Sequence, residues 1–146
     1  MGPPMKPQIA VVLTDSAQGD RQFLPSYGSG GAAGADLRAA LDEPLELAPG
    51  DRQLIPTGIA VAVPHGFEAQ VRSRSGLALR HGLYLPNGPG TVDSDYRGEV
   101  GVILQNGGRA PVRLERGDRI AQLVIAPVVQ ADFTLADALD DTERGA

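Results

Sequence analysis

The chain has 146 residues, a formal net charge of −5, two histidines and no cysteine. That length suits one domain able to bury its own core, and the missing thiols exclude disulfide staples and thiolate metal centres. An acidic balance excludes a general nucleic-acid coat, because a phosphate backbone demands a basic surface.

With 19 glycines, 12 prolines and Val, Ile and Leu in short runs between turn residues, the pattern predicts an all-β fold. Residues 1–7 form a proline-rich, flexible lead. No apolar run there suits a signal peptide, and no segment approaches the ~20 apolar residues that span a bilayer. Met1-Gly2 opens like a myristoylation site, but Lys6 stands where Ser or Thr is required. A cytoplasmic setting without membrane contact is the expectation. The main domain, residues 8–132, starts with a strand at Ile9 to Leu13 and a turn over Asp15 to Asp20. Pro25 to Ala33 is glycine-rich and loose. Strands follow at Asp36 to Ala40 and Leu45 to Leu47, then a long run from Leu54 to Val63 interrupted at Pro56 and Gly58, which implies a bend or a sheet edge. Phe67 to Val71 is the next strand. Ser75 to Arg80 is the one helix, with Ser75 as N-cap and Gly82 as its stop.

From Leu85 to Val100 the chain reads Leu-Pro-Asn-Gly-Pro-Gly-Thr-Val-Asp-Ser-Asp-Tyr-Arg-Gly-Glu-Val. Its prolines and glycines predict a rigid hairpin that presents Asp93, Asp95, Tyr96 and Arg97. A small-ligand site is one reading; a surface hairpin with solvated charges is the plain alternative. Val100 to Gln105 is a near-continuous apolar strand, suited to burial on both faces. Val112 to Leu114 and Ile120 to Val129 complete about ten short strands. In the C-terminal arm, residues 133–146, the acidic stretch Thr134 to Asp141 is one helical turn or extended.

Four polar clusters sit at the junctions between these runs. Ala33-Gly34-Ala35-Asp36-Leu37-Arg38-Ala39 is a glycine turn entering a strand. In Arg72-Ser73-Arg74-Ser75-Gly76-Leu77, a helix start offers free N–H groups beside Arg74, which suits an anion; a plain cap is the simpler account. The third cluster is the central stretch. The fourth is Arg116-Gly117-Asp118-Arg119-Ile120-Ala121-Gln122-Leu123. Strand alternation would point Arg119, Ala121 and Leu123 to one face and Ile120 and Gln122 to the other. Gln122 is then either a satisfied core amide or a ligand contact. Lys6 is the only lysine, so 12 of the 13 basic residues are arginine, whose planar fork suits phosphate and carboxylate oxygens.

Together and in this order, Ala33–Ala39, Arg74–Ala78, Gly90–Glu99 and Gly117–Gln122 resemble the first four motifs of the trimeric dUTPases. The resemblance implies a distorted jelly-roll of the β-clip type with one short helix, assembled as a homotrimer with active sites at subunit interfaces. It implies hydrolysis of dUTP to dUMP and pyrophosphate, which keeps uracil out of DNA and supplies dUMP for thymidylate synthesis. Asp93 would activate the attacking water. Tyr96 would lie under the deoxyribose and exclude a ribose 2′-OH. Asn87, with Gly90, Thr91 and Val92, would read the uracil edge. Arg74, Ser75, Gly76 and Gln122 would hold the phosphates, and Asp36 would sit near Mg²⁺ through water, the ion being held mainly by substrate phosphates.

Two departures from the family pattern stand out. Ser73 occupies a place where the family often has proline, with an expected effect on loop stiffness alone. The fifth motif, Arg-Gly-x-Gly-Gly-Phe-Gly-Ser, is entered at Arg144, its expected substrate-binding arginine, and the sequence ends at Ala146. The expectation is a truncated or naturally short form with intact binding and weakened turnover, since a closing arm excludes water. A weakly active or non-enzymatic nucleotide-binding trimer and a dCTP deaminase-like enzyme are the alternatives.

Overall fold

The short apolar runs become eleven strands, joined by one α-helix and two 3₁₀ turns, in a computed structural model that describes residues 6–145. Of the expected flexible lead, residues 1–5 lie outside the described residues. The strands are β1 (Ala10–Leu13), β2 (Ser26–Tyr27), β3 (Ala35–Arg38), β4 (Leu45–Leu47), β5 (Arg52–Ala62), β6 (Phe67–Arg72), β7 (Leu83–Tyr84), β8 (Gly90–Val92), β9 (Glu99–Asn106), β10 (Val112–Leu114) and β11 (Arg119–Pro127), and helix α1 spans Ser75–His81. A four-stranded sheet runs β1-β5-β9-β7, a five-stranded sheet β2-β3-β11-β6-β8, and a ribbon β10-β4. The pairings are antiparallel. One core, with Leu37, Ile55, Ile59, Val71, Val102, Leu104 and Ile120 buried, holds the layers together. Each such side chain contributes about 1.5–3 kcal/mol through burial.

The long strand β5 bends where expected. Gly58 has φ 78°, and the register with β9 slips between Pro56 and Ala60. A Cβ at Gly58 would stand 3.0 Å from the Ala17 Cβ and 3.2 Å from the Phe23 ring, so the bend packs against both 3₁₀ turns, the first at Asp15–Ala17 and the second at Arg21–Phe23. At the far end of β9, buried Asn106 donates to the Leu47 and Ala110 carbonyls and accepts from the Gly108 N–H, each at 2.9 Å. One amide thus ties β4 and the turn before β10 to the end of β9.

Several local expectations change. Arg74, not Ser75, is the N-cap residue of α1, and Ser75 is the first helical residue. Gly82, at φ 70°, does stop the helix, donating its N–H to the Ala78 carbonyl at 3.0 Å. β9 alternates between buried and half-buried residues instead of being buried on both faces, leaving Glu99, Gly101, Ile103 and Gln105 on an open face. In β11 a register shift between Arg119 and Ala121 places Ile120 and Ala121 both inside, so simple alternation fails there. After Pro127 the described chain is exposed and forms no helical turn.

The stretch after Leu85 is not a hairpin of two mutually paired arms. β7 pairs with β9 in one sheet, while β8 pairs with β6 in the other. Leu85 to Pro89 is therefore a crossover between sheets, and its two prolines have no N–H to place in a ladder.

Candidate active site

Strand register brings three of the four clusters together. Gln122 on β11 sits opposite Asp36 on β3 and, on its other side, opposite Arg72 at the end of β6. Arg74 and the start of α1 follow immediately. The result is a cavity of about 340 Å³ whose lining includes Asp36, Arg74, Ser75, Gly76, Arg119 and Gln122. Asp36 is the sole carboxylate in the lining. Its oxygens lie 3.9 Å from Arg74 Nε and 3.8 Å from Arg119 Nη1, so two guanidinium groups share one carboxylate. That arrangement leaves positive charge facing the cavity. The first-turn amides of α1 have no partner within the helix. Gln122 Nε2 donates to the Ser73 carbonyl at 3.3 Å, and a Cβ at Gly34 would lie 2.5 Å from Gln122 Oε1. Glycine at position 34 is what leaves room for the amide. An anion with several oxygens suits such a cavity.

A second cavity, about 230 Å³, is lined by Asn87, Gly90, Thr91, Val92 and Tyr96 together with Leu54, Leu85, Glu99, Gly101 and Ile103. It is a mixed slot in which aliphatic side chains stand beside Asn87, Thr91, Tyr96 and Glu99. The Tyr96 hydroxyl donates to the Glu99 carbonyl at 2.9 Å. A Cβ on Gly98 would meet that hydroxyl at 2.6 Å, so glycine lets the ring fold back over the turn. Asn87 is held by a tight turn in which the Gly88 N–H donates to the Leu85 carbonyl at 3.0 Å.

Asp93 lines neither cavity, although Val92 just before it lines the second. Exposed after β8, it lines a third cavity of about 590 Å³ with His65, Glu68, Ser94 and Asp95 among its neighbours. Its carbonyl accepts the Tyr96 N–H at 3.1 Å. Arg97, a candidate ligand group in sequence, instead closes this turn: Nη1 donates to the Ser94 and Tyr96 carbonyls at 2.6 and 3.0 Å. Arg144 sits on the exposed C-terminal segment and lines none of the three cavities. Within one chain, then, the expected residues line a charged cavity, a mixed slot and a third cavity that holds Asp93, with Arg144 in none of them.

The dUTPase family model matches residues 20–146. The chain belongs to the dUTPase family. It is 61% identical over 123 residues to the deoxyuridine 5′-triphosphate nucleotidohydrolase of Roseobacter denitrificans, covering 84% of this chain and 81% of that one. The dUTPase of Staphylococcus bacteriophage 80alpha, a G164S mutant with dUpNHpp, superposes with a TM-score of 0.81 at 25% identity, covering 94% of each chain. A D95N mutant dUTPase from phage phi11 of S. aureus, which coordinates a structural Mg(II) ion, shares the fold with a TM-score of 0.77 at 23% identity, covering 90% of this chain and 97% of that one. The mostly-β architecture with one short helix is thus the dUTPase fold, as the motifs led one to expect. Among the described residues no helix is long and apolar enough to cross a membrane.

Three residues that shape these dUTPase cavities carry little signal in the sequence. Arg119 belongs to the fourth motif, yet only the fold shows it sharing Asp36 with Arg74. The Glu99 carboxylate accepts from Thr14 Oγ1 at 2.6 Å, Ser16 Oγ at 3.2 Å and the Gly58 N–H at 2.9 Å, anchoring the slot's wall to the β5 bend. Ser73 accepts the Leu85 N–H on its hydroxyl at 2.9 Å, a contact between loops twelve residues apart.

Proposed function

We propose that this chain hydrolyses dUTP to dUMP and pyrophosphate, as a homotrimer whose active sites form between subunits. The observation that carries the reading is the partition of the motif residues. Groups suited to phosphates line one cavity, and groups suited to a nucleoside line another. The carboxylate suited to a base faces a third. Packing copies of the chain against one another is a direct way to bring such parts into one site.

In this reading Arg74, Ser75, Gly76 and Gln122 hold the triphosphate, joined by Arg119. Asn87, at the rim of the slot, offers both donor and acceptor to the uracil edge, with Gly90, Thr91 and Val92 forming the wall. A 5-methyl group would clash with the tight turn, a steric basis for rejecting thymine. Tyr96 lies against the sugar and excludes a 2′-OH. Asp93 takes a proton from a water that attacks the α-phosphorus; the bond to the α–β bridging oxygen breaks and pyrophosphate leaves. Arg144 contacts substrate from the C-terminal segment. A cytoplasmic setting goes with this role.

The donor set also fits magnesium. One carboxylate beside a polyphosphate matches an ion that keeps several waters and takes most of its ligands from phosphate. Among the described residues no group of three His, Cys, Asp or Glu side chains could hold a metal unaided. Asp36 would hold the ion through water, and the bound ion would supply charge neutralisation on the phosphates.

The test is pyrophosphate release from dUTP with Mg²⁺, for the native chain and for Asp93→Asn. Loss of a general base lowers the rate by about 10²–10⁴-fold, with dUTP binding retained. Equal negligible rates in both, with dUTP still bound, would leave a nucleotide-binding trimer. Ammonia released from dCTP would indicate a deaminase instead.

A further inference from the structure

We propose that Ser73 is a specificity-determining positioning residue, holding the uracil-reading turn in register with the phosphate loop; this rests on the dUTPase reading above. Ser73 stands between the two subsites and serves each with a different group. Its backbone carbonyl accepts Gln122 Nε2 at 3.3 Å in the charged cavity. Its hydroxyl accepts the N–H of Leu85 at 2.9 Å. Leu85 is the first residue of the turn Leu85-Pro86-Asn87-Gly88, which closes through the Gly88 N–H on the Leu85 carbonyl at 3.0 Å. Leu85 is buried, whereas Pro86, Asn87, Gly88 and Pro89 are exposed. The turn's tip is thus exposed, and its root is held on one side by the Ser73 hydroxyl. On the other side Gly90 pairs with Val71 on β6.

A proline or an alanine at position 73 would have no side-chain acceptor to offer the Leu85 N–H. In this chain the hydroxyl supplies that acceptor. Removing it strands a buried donor, which costs more than a hydrogen bond contributes when made. In the unliganded protein the turn relaxes outward until water reaches the N–H. Binding a uracil nucleotide must then draw the turn back, so the penalty appears in nucleotide affinity and in discrimination against the 5-methyl group. The phosphate cavity keeps its contact, because the Gln122 amide uses only the Ser73 backbone.

The experiment compares Ser73→Ala and the near-isosteric pair Ser73→Thr and Ser73→Val by calorimetric titration with dUMP, dTMP and pyrophosphate. Ser73→Ala and Ser73→Val should weaken dUMP about fivefold, the ratio that one hydrogen bond of ordinary net strength supplies. The preference for dUMP over dTMP should fall by a similar factor. Pyrophosphate affinity should stay unchanged, and Ser73→Thr should restore dUMP binding. Unchanged dUMP affinity in both hydroxyl-free variants overturns the proposal, as does pyrophosphate weakening in step with dUMP, the mark of a general loosening. A native chain with no preference for dUMP over dTMP overturns the dUTPase reading itself, whatever the Ser73 variants do.

Discussion

Gly34→Ala tests the packing that holds the charged cavity open. The added Cβ would stand 2.5 Å from Gln122 Oε1, 2.9 Å from its Cδ and 3.0 Å from its Cβ. Ordinary carbon contacts lie at about 3.5–4.0 Å, so the amide must retreat by roughly 1 Å. It then leaves the Ser73 carbonyl, already at 3.3 Å. Loss of that hydrogen bond costs about 0.5–1.5 kcal/mol, and a displaced glutamine rotamer about as much again. The sum is about 1–3 kcal/mol, in the usual range for overpacking, or a fall in Tm of roughly 2–10 °C for a chain of this size. Thermal unfolding of Gly34→Ala, Gln122→Ala and the double variant, at one protein concentration, gives the coupling directly. With Gln122 cut back to its Cβ, only the 3.0 Å contact remains, so the second substitution should add less than half of what it costs alone. KM for dUTP should rise in both single variants and rise no further in the double. Additive Tm losses, or a Gly34→Ala protein with native Tm and KM, would refute the argument.

Tyr96→Ala should lower the ratio of kcat/KM for dUTP over UTP by at least about tenfold, the scale on which a steric pocket discriminates; an unchanged ratio removes the sugar-gate role. Asn106→Ala leaves the Leu47 and Ala110 carbonyls and the Gly108 N–H without their partner, and should destabilise the fold by about 2–4 kcal/mol in urea unfolding with unchanged m. Asp20 caps the 3₁₀ turn Arg21–Phe23, and the Gln22 N–H bonded to its carboxylate lowers its pKa from 3.8. The folded protein thus holds the charged form more tightly than the unfolded chain, so the contribution is present above the ordinary carboxylate pKa and lost as pH falls through the lowered value. The Tm deficit of Asp20→Ala should therefore be seen at neutral pH and vanish in strong acid; a deficit independent of pH would show that the charge plays no part.

Strand positions were largely legible because they depend on neighbours in sequence. Val112–Leu114 and Leu45–Leu47 match the expected spans, and Gly58 bends β5 as its position implied. Strand partners were not legible. Turn residues at Pro86 to Gly90 look the same whether they join two arms of a hairpin or carry the chain between sheets. The difference lies in β6 and β9, which capture β8 and β7 respectively. The bulge at Ile120 is similar, since no local residue announces that two successive side chains turn inward. The charged cavity could be inferred as a set of motifs but not as a shape. Its geometry comes from Gln122 lying between Asp36 and Arg72 across three strands.

Arginine is where residue type says least. A guanidinium fork fits phosphate oxygens, but it fits converging backbone carbonyls equally well. Arg116, in a turn with no apparent task, donates to the Ser16, Leu41 and Ala17 carbonyls at 2.9–3.1 Å and stacks 4.8 Å over the Phe23 ring. It holds the first 3₁₀ turn onto the barrel. Arg97, inside the most chemically suggestive stretch, closes its own turn. Arg74 and Arg119 are held more loosely: each lies near Asp36 at almost 4 Å, a spacing too long for a strong pair, each lines the cavity, and the one carbonyl bond between them, Arg74 Nη1 to the Arg119 carbonyl, is 3.3 Å long. A guanidinium whose donors are occupied by carbonyls within about 3 Å is committed to the fold, whereas one held loosely beside a shared carboxylate keeps donors for an incoming anion. On that distinction Arg119 stands with Arg74 rather than with Arg97 and Arg116, in keeping with the phosphate-holding role proposed above.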